Sequence, residues 1–483
     1  MKKKRVRILL RFACIVFLIV NPCNSIQCQN LTFQQHPIDM SFNGIMTIQI
    51  IDLDDDNDLD IIGGSEITPT TSSKGLAWWR NNGDNVWERF IIDESFIHIM
   101  SVDVADIDND GFLDIVAASW QLNQVAWWKN SGDPTQSWTR HIIKSNFTNA
   151  HDVKCTDIDS DGDTDIIAAS YGLGRINIFY NDGITTSNWQ SSTLPGSFSG
   201  ALGVFVIDLD KDDDPDILGT AADAGLISWW ENSGSNPINW SYHNIASNFI
   251  GSSSLYVVDM NYDGLYDIVS HSWISNQVAY WLCDNLSSNS WTKHIVSTQL
   301  LLAAGVCAAD LDKDNNVDIV GVGKDPGELV IYENDNFTFS EIVLTNDFYG
   351  GEDVKIIDLD NDDDLDIVAA ASSGKLIWWE NQTPVGIYDE NSNRSPQKFS
   401  LGQNYPNPFN PTTKITYSIP ERSFVSLKVY GVLGNEIATL VNEEKQAGEY
   451  EIHFNAVDLP GGIYIYSLTA GKIFKSRKML TIK

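Results

Sequence analysis

The sequence predicts an all-β protein, a seven-bladed β-propeller followed by a small C-terminal β-sandwich. Three observations carry that prediction. A nine-residue pattern, Asp-x-Asp-x-Asp-(Gly)-x-x-Asp, begins at Asp52, Asp106, Asp157, Asp208, Asp259, Asp310 and Asp358, at intervals of 54, 51, 51, 51, 51 and 48 residues. Each interval holds four short β-type runs separated by turns, without helical periodicity. Beyond residue 397 the repeats stop and the charge balance reverses. A period near 50 built from four strands is a propeller blade and not a helical solenoid.

The chain divides by charge into three objects. Residues 1–25 carry six basic and no acidic side chains, residues 26–397 carry 58 acids against 15 bases, and residues 398–483 carry 7 acids against 10 bases. In the first, Lys2, Lys3, Lys4, Arg5, Arg7 and Arg11 flank or precede the apolar run Phe12 to Val20. That run is too short to cross a bilayer and reads as a signal peptide, 1–25. No other apolar stretch could span a membrane, so the mature chain is expected to be secreted or held at the outer cell surface.

Residues 30–383 are the propeller. The second repeat shows the unit: Ile99 to Ala105, the loop Asp106 to Asp114, Ile115 to Ser119, Val125 to Asn130, then Trp138 to Ile143. An aromatic pair recurs at Trp78-Trp79, Trp127-Trp128, Phe179-Tyr180, Trp229-Trp230, Tyr280-Trp281 and Trp378-Trp379. The fourth run recurs around Trp87, Trp189, Trp240, Trp291 and Phe337. The seventh repeat stops at Asn381 without a fourth strand, and the missing piece stands before the first repeat, where Leu31 to Ile38 resembles Trp138 to Ile143. Pairing the two closes the ring and leaves no open sheet edge.

The loops are the chemical feature. Side chains at positions one, three, five and nine of a tight turn can converge on one point. These are Asp52, Asp54, Asp56 and Asp60; Asp106, Asp108, Asp110 and Asp114; Asp157, Asp159, Asp161 and Asp165; Asp208, Asp210, Asp212 and Asp216; Asp259, Asn261, Asp263 and Asp267; Asp310, Asp312, Asp314 and Asp318; Asp358, Asp360, Asp362 and Asp366. Two unit charges 4 Å apart repel by roughly 4 kcal/mol at an effective dielectric near 20. A hard cation with oxygen ligands reverses the sign, and Ca2+ suits such loops, up to seven ions with one per blade. An EF-hand is excluded because position twelve, which needs Glu, is Gly63, Ala117, Ala168 or Gly219. Metal-free Asx turns could explain one copy, but Asp at the ninth position in all seven argues against them.

These repeats resemble the integrin-type and FG-GAP/VCBS-type calcium-binding propeller family. The resemblance implies that each loop joins the first two strands of a blade and that the carbonyl of position seven is a further ligand. Here those positions are Asp58, Phe112, Asp163, Asp214, Leu265, Asn316 and Asp364. The Phe-Gly and Gly-Ala-Pro signatures of the family are absent, and its sixth-position Gly is kept only as Gly111, Gly162 and Gly264. Asn57, Asp213, Asn315 and Asp363 replace it elsewhere and tolerate left-handed geometry. Asn261 keeps an oxygen but loses a charge, so the fifth site is expected to be the weakest.

Of the 58 acids in the middle segment, 34 lie inside the seven loops, so the charge is ligand inventory more than a solvating coat. Nucleic acid is excluded as a partner, since phosphate binding needs clustered Lys and Arg. No zinc spacing links Cys28, Cys155, Cys283 and Cys307. Cys155 and Cys307 fall in predicted buried strands, which favours burial over a disulfide.

After a polar linker, 384–397, residues 398–483 form the sandwich, with strands expected at Lys414–Ile419, Val425–Tyr430, Tyr450–Phe454, Ile463–Leu468 and Phe474–Ile482. The lead-in Tyr405-Pro406-Asn407-Pro408-Phe409-Asn410-Pro411, with Gly448-Glu449-Tyr450, Pro460 to Tyr464 and the basic strand Lys475 to Met479, resembles the type A sorting domain of the type IX secretion system. That resemblance implies the type IX machinery as a partner and passage across the outer membrane.

No catalytic motif stands out. His98, His151, Asp152, His271, Glu352 and Asp353 are the non-repeating titratable residues near the expected channel mouth. The aromatic pairs could stack on sugars, but their recurrence points to packing between blades. The sequence therefore reads as a non-enzymatic binding or adhesion protein for a glycan or protein. The rival is a carbohydrate-active enzyme of polysaccharide lyase or sugar dehydratase type, since calcium-loop propellers like this one occur in such enzymes.

Overall fold

The computed structural model describes residues 31–483 apart from 67–74, 84, 184–188, 236, 384–398, 403, 405–406, 408, 410, 421, 432–435, 458, 461, 471–472 and 482–483. The expected signal peptide, Cys28 and the linker lie outside the described residues. The chain separates into two units at residues 385/386.

The first unit is a propeller of seven four-stranded antiparallel sheets. Its innermost strands are Ile45–Ile51, Ile99–Ala105, Ala150–Thr156, Ala201–Ile207, Ser252–Val258, Ala303–Ala309 and Gly351–Ile357. Each packs against the innermost strands of both neighbouring blades, the last against the first, so the ring is closed. The second strands, such as Asp114–Ser119 and Asp366–Ala371, are buried at every position. That burial on both faces explains their unbroken apolar runs. The strand Phe33–Asp39 pairs with Lys375–Asn381 and completes the seventh sheet, with His36 opposite Trp378.

Hydrophobic cores form between blades, one at each of the seven junctions. Where a third strand carries an aromatic pair, its two rings serve two different cores. In the second blade Trp127 enters the core shared with the third blade and Trp128 the core shared with the first. Alternation along a strand sends adjacent side chains to opposite faces, and in a propeller both faces meet a neighbour. A second aromatic series has the same period as the loops: Phe42, Phe96, Phe147, Phe198, Phe249 and Phe348, with Leu300 in the sixth copy. Its phenyl rings stand edge-on to Trp79, Trp128, Phe179, Trp230, Trp281 and Trp379 at centroid distances of 4.8–5.5 Å. Phe96 is fully buried, and Phe96→Ala is expected to cost about 3–5 kcal/mol, read as a lower urea midpoint.

Histidines of the outermost strands pack on the first aromatic of the pair. His36, His141, His243 and His294 stack on Trp378, Trp127, Trp229 and Tyr280 at 4.4–4.9 Å. These four are structural. Cys155, Cys283 and Cys307 are free thiols.

In the second unit, one sheet holds Ser400–Leu401, Thr412–Ile419 and Gly448–Asn455, and the other Glu436–Lys445, Ser423–Gly431, Gly462–Ala470 and Ile473–Thr481. Ser400–Leu401 and Glu436–Lys445 are additions to the five strands expected. Glu436–Lys445 is an edge strand with Val441 its one buried described side chain, so its pattern carries little β signal. The lead-in is tied to the core, because Phe409 is buried, Asn404 N–H donates to Tyr466 Oη at 2.8 Å, and Asn404 Nδ2 donates to Thr413 Oγ1 at 2.9 Å.

Candidate metal centres and the channel mouth

Each loop leaves an innermost strand at its first Asp and re-enters the sheet at its ninth residue. The turn requires left-handed backbone at positions four and six. In the first loop these are Asp55 and Asn57 at φ 61° and 73°, in the second Asn109 and Gly111 at 56° and 92°, and in the fourth Lys211 and Asp213 at 65° and 77°. Ser160, Tyr262, Lys313 and Asn361 occupy the same strained fourth position. A non-glycine residue there costs of order 1–3 kcal/mol and persists only where the surroundings hold it.

Position one supplies that hold. Its Oδ1 accepts from the N–H of position five at 3.0–3.1 Å, and its Oδ2 from that of position six at 2.8–3.0 Å, in all seven loops. Position nine is buried. Its Oδ2 accepts from the N–H of position two at 2.9–3.2 Å. Its Oδ1 accepts from an N–H at the end of the third strand at 2.7–2.8 Å. Burial pushes the carboxyls of Asp60, Asp114, Asp165, Asp216, Asp267 and Asp366 up to about 7, the backbone donors oppose this, and neighbouring loop carboxylates add to the rise. Asp318 is pushed to about 8.

The first, third and ninth carboxylates come together. Oxygens of Asp52, Asp54 and Asp60 lie within 4.8 Å of one another, as do those of Asp106, Asp108 and Asp114; Asp157, Asp159 and Asp165; Asp208, Asp210 and Asp216; and Asp310, Asp312 and Asp318. Position five lies beside the triad, its Oδ1 accepting from the N–H of position seven, as Asp56 does from Asp58 at 3.0 Å and Asp110 from Phe112 at 3.0 Å. In the first four loops the Oδ1 of Asp54, Asp108, Asp159 and Asp210 is buried without a hydrogen-bond partner. A bare buried carboxylate oxygen beside two further carboxylates is costly unless a cation satisfies it. The all-oxygen donor set therefore fits a hard divalent ion. The fifth loop differs, since Asn261 Oδ1 accepts from Asp263 N–H at 2.8 Å and its Nδ2 donates to Asp263 Oδ2 at 3.0 Å.

One repeated residue escaped sequence reasoning although its period was visible. The N–H that serves the ninth carboxylate belongs to Asn81, Asn130, Asn181, Asn232, Asn334 and Asn381, replaced by Cys283 in the fifth blade. Asn181, Asn232 and Asn381 also donate Nδ2 to the carbonyls of Ile107, Ile158 and Leu311 in the preceding loop, at 2.8–3.1 Å. Adjacent loops are linked again at position four: Asn109 Nδ2 reaches Asp163 Oδ1 at 2.6 Å, and Lys313 Nζ reaches the Asp363 carbonyl at 2.7 Å.

At the other end of the innermost strands stand the titratable candidates. Asp152 accepts from Ser101 Oγ at 2.6 Å and from the N–H of Val204 at 2.8 Å, and so ties three blades together. Asp353 accepts from Ile48 N–H at 3.0 Å and joins the seventh blade to the first. Both are fastened to backbone. His271 is buried, with Nε2 3.1 and 3.0 Å from the hydroxyls of Ser253 and Ser254, and burial lowers it to about 4. Burial likewise lowers His151 to about 4, and its Nδ1 donates to the Leu202 carbonyl at 3.1 Å. Glu352 pairs with Lys324 at 2.6 Å, and His98 Nε2 lies 3.8 Å from Glu66 Oε1. Trp120 has its ring centroid 6.5 Å from His98, 6.0 Å from His151 and 5.3 Å from Tyr171. Tyr171 Oη donates to Asp223 Oδ1 at 3.0 Å. A half-buried aromatic residue stands directly after the second strand in three blades, as Trp120, Tyr171 and Trp273.

Comparison with protein families agrees with this architecture. The FG-GAP-like repeat model matches residues 52–117, 106–168, 157–219 and 310–369, and the fifth loop falls outside every match. The secretion system C-terminal sorting domain model matches residues 403–483. No curated protein gives a significant match. A chain with this tail is secreted or displayed at the cell surface through the type IX machinery. Among the described residues no helix is long and apolar enough to cross a membrane.

Proposed function

We propose that this chain, a protein of FG-GAP-like repeats ahead of a secretion system sorting domain, is an extracellular calcium-loaded propeller that binds a glycan or protein ligand without turning it over. The observation that carries the calcium half is the set of carboxylate triads with a buried, unpartnered oxygen on Asp54, Asp108, Asp159 and Asp210. Calcium would be held by positions one, three and nine, with five and seven beside them, and its charge would offset their repulsion. The role of the ion here is to stiffen a scaffold.

The binding half rests on the channel mouth. Trp120 and Tyr171 offer ring faces, with His98, His151 and Asp223 as polar neighbours. Aromatic faces ringed by polar groups suit sugar rings and amphipathic peptides. The candidate acids and bases are engaged otherwise: Asp152 and Asp353 by backbone donors, His151 by a carbonyl. A turnover site needs two such groups converging on one substrate atom. Screening the purified protein against a polysaccharide panel, with retention and release of unsaturated products both measured, is expected to show retention alone and its loss in Trp120→Ala. Turnover abolished by His151→Ala would establish the enzyme reading instead.

A further inference from the structure

The residue before the repeated Asn of each third strand (Cys283 in the fifth blade) varies from blade to blade. In blade order it is Arg80, Lys129, Tyr180, Glu231, Leu282, Glu333 and Glu380. In the first blade Arg80 Nε lies 2.7 Å from Asp54 Oδ2 and its Nη2 3.1 Å from Asp56 Oδ2. In the second, Lys129 Nζ pairs with Asp108 Oδ2 and lies 2.6 Å from Asp110 Oδ2. Each cation therefore spans the third and fifth carboxylates from outside, while the third-position Oδ1 stays bare. Glutamates take the opposite part. Glu231, Glu333 and Glu380 stand at that same strand position, each one residue before the Asn whose N–H serves the ninth carboxylate of its loop. They are held in place by His243 Nε2 at 2.9 Å, Ser340 Oγ at 3.0 Å and His36 Nε2 at 2.6 Å.

Counting the four loop side chains and this neighbour, the charge is −3 in blades one, two and five, −4 in blade three and −5 in blades four, six and seven. Ligand charge sets the affinity of an oxygen site over orders of magnitude. We infer that Arg80 and Lys129 are built-in counter-ions of the first two loops, and that the propeller fills its calcium sites unequally. Blades four, six and seven fill first; blades one and two, with the amide-bearing fifth, fill last. This inference rests on the calcium reading above and adds an order of filling to it.

The test is a calcium titration of the full secreted chain, by calorimetry with native mass spectrometry counting bound ions. At least two phases are expected, with no more than four ions in the tighter one. Arg80→Gln and Lys129→Gln should each move one ion from the weak to the tight phase, with affinity at that loop raised about tenfold or more. Glu231→Lys, which brings that loop to the −3 of the first two blades, should move one ion the other way. Both cationic side chains are about a third exposed, at 32 % and 34 %, so their replacement leaves the core intact. Seven equivalent sites, or Gln variants that leave the phases unchanged, would remove this inference and leave the calcium reading standing. Absence of binding at every loop would remove both.

Discussion

Excess EDTA is expected to lower the melting temperature of the full chain by on the order of 10–20 °C, with recovery on adding calcium. An ion that binds only the folded state stabilises it by RT ln(1 + [L]/Kd), which is about 2.7 kcal/mol at a concentration of 100 Kd. Loops of this extracellular kind have Kd on the order of 10⁻⁴–10⁻³ M, so roughly 10 mM calcium contributes about 1.4–2.7 kcal/mol at each filled loop. Several loops filled together give the predicted shift. Without the ion the bare Oδ1 of Asp54, Asp108, Asp159 and Asp210 keeps its desolvation cost, and the buried ninth carboxylates face their neighbours uncompensated. The links between loops, such as Asn181 to Ile107 and Lys313 to Asp363, should spread the loss from one blade to the next. A melting curve unmoved by EDTA, and by a back-titration with calcium, would dismiss the metal assignment.

The part of this design that was legible in the sequence is the part built from local pattern. The Asp period marks one loop per blade, and the four β-type runs between loops mark the strands, because turn chemistry and period-two alternation are local. The Phe96 series and the Asn130 series repeat with the same spacing. They were missed because one aromatic or one Asn per 51 residues carries no local signal, and its meaning appears only when residues 16 apart, or in the next blade, are brought together. Arg80 and Lys129 were unreadable for the related reason that each pairs with a loop about 20 residues earlier across a strand. Asp152 and Asp353 are the converse case. The sequence puts them among the titratable residues near the expected channel mouth, and the innermost strands use them as inter-blade acceptors. A carboxylate and a backbone N–H in the adjacent blade are neighbours only after the ring has closed.

Closure itself makes the other large prediction. Deleting residues 30–39 is expected to abolish the soluble monomeric propeller, because this one segment holds three blades. Its strand pairs along Lys375–Asn381 in the seventh blade, and its His36 ring covers Trp378 at 4.7 Å while Nε2 contacts Glu380 at 2.6 Å. Leu31 is buried in the core between the sixth and seventh blades. At the other end Asp39 reaches the first blade, where it accepts from Trp79 Nε1 at 2.9 Å and pairs with Arg89 at 2.5 Å. Burial opposes the charge on Asp39, yet these donors and Ser41 hold its carboxyl below the usual carboxylate value. Without the segment the third strand of the last blade becomes a bare, apolar edge carrying Trp378 and Trp379, which is a template for pairing between chains. Asp39→Ala is the graded version. It removes the acceptor from Trp79 and Arg89 and should cost about 1–3 kcal/mol while the strand itself stays paired. Size-exclusion chromatography and thermal melting decide the matter: a deletion variant that elutes as the parent does and melts within a degree or two of it would show that the ring does not depend on this strand.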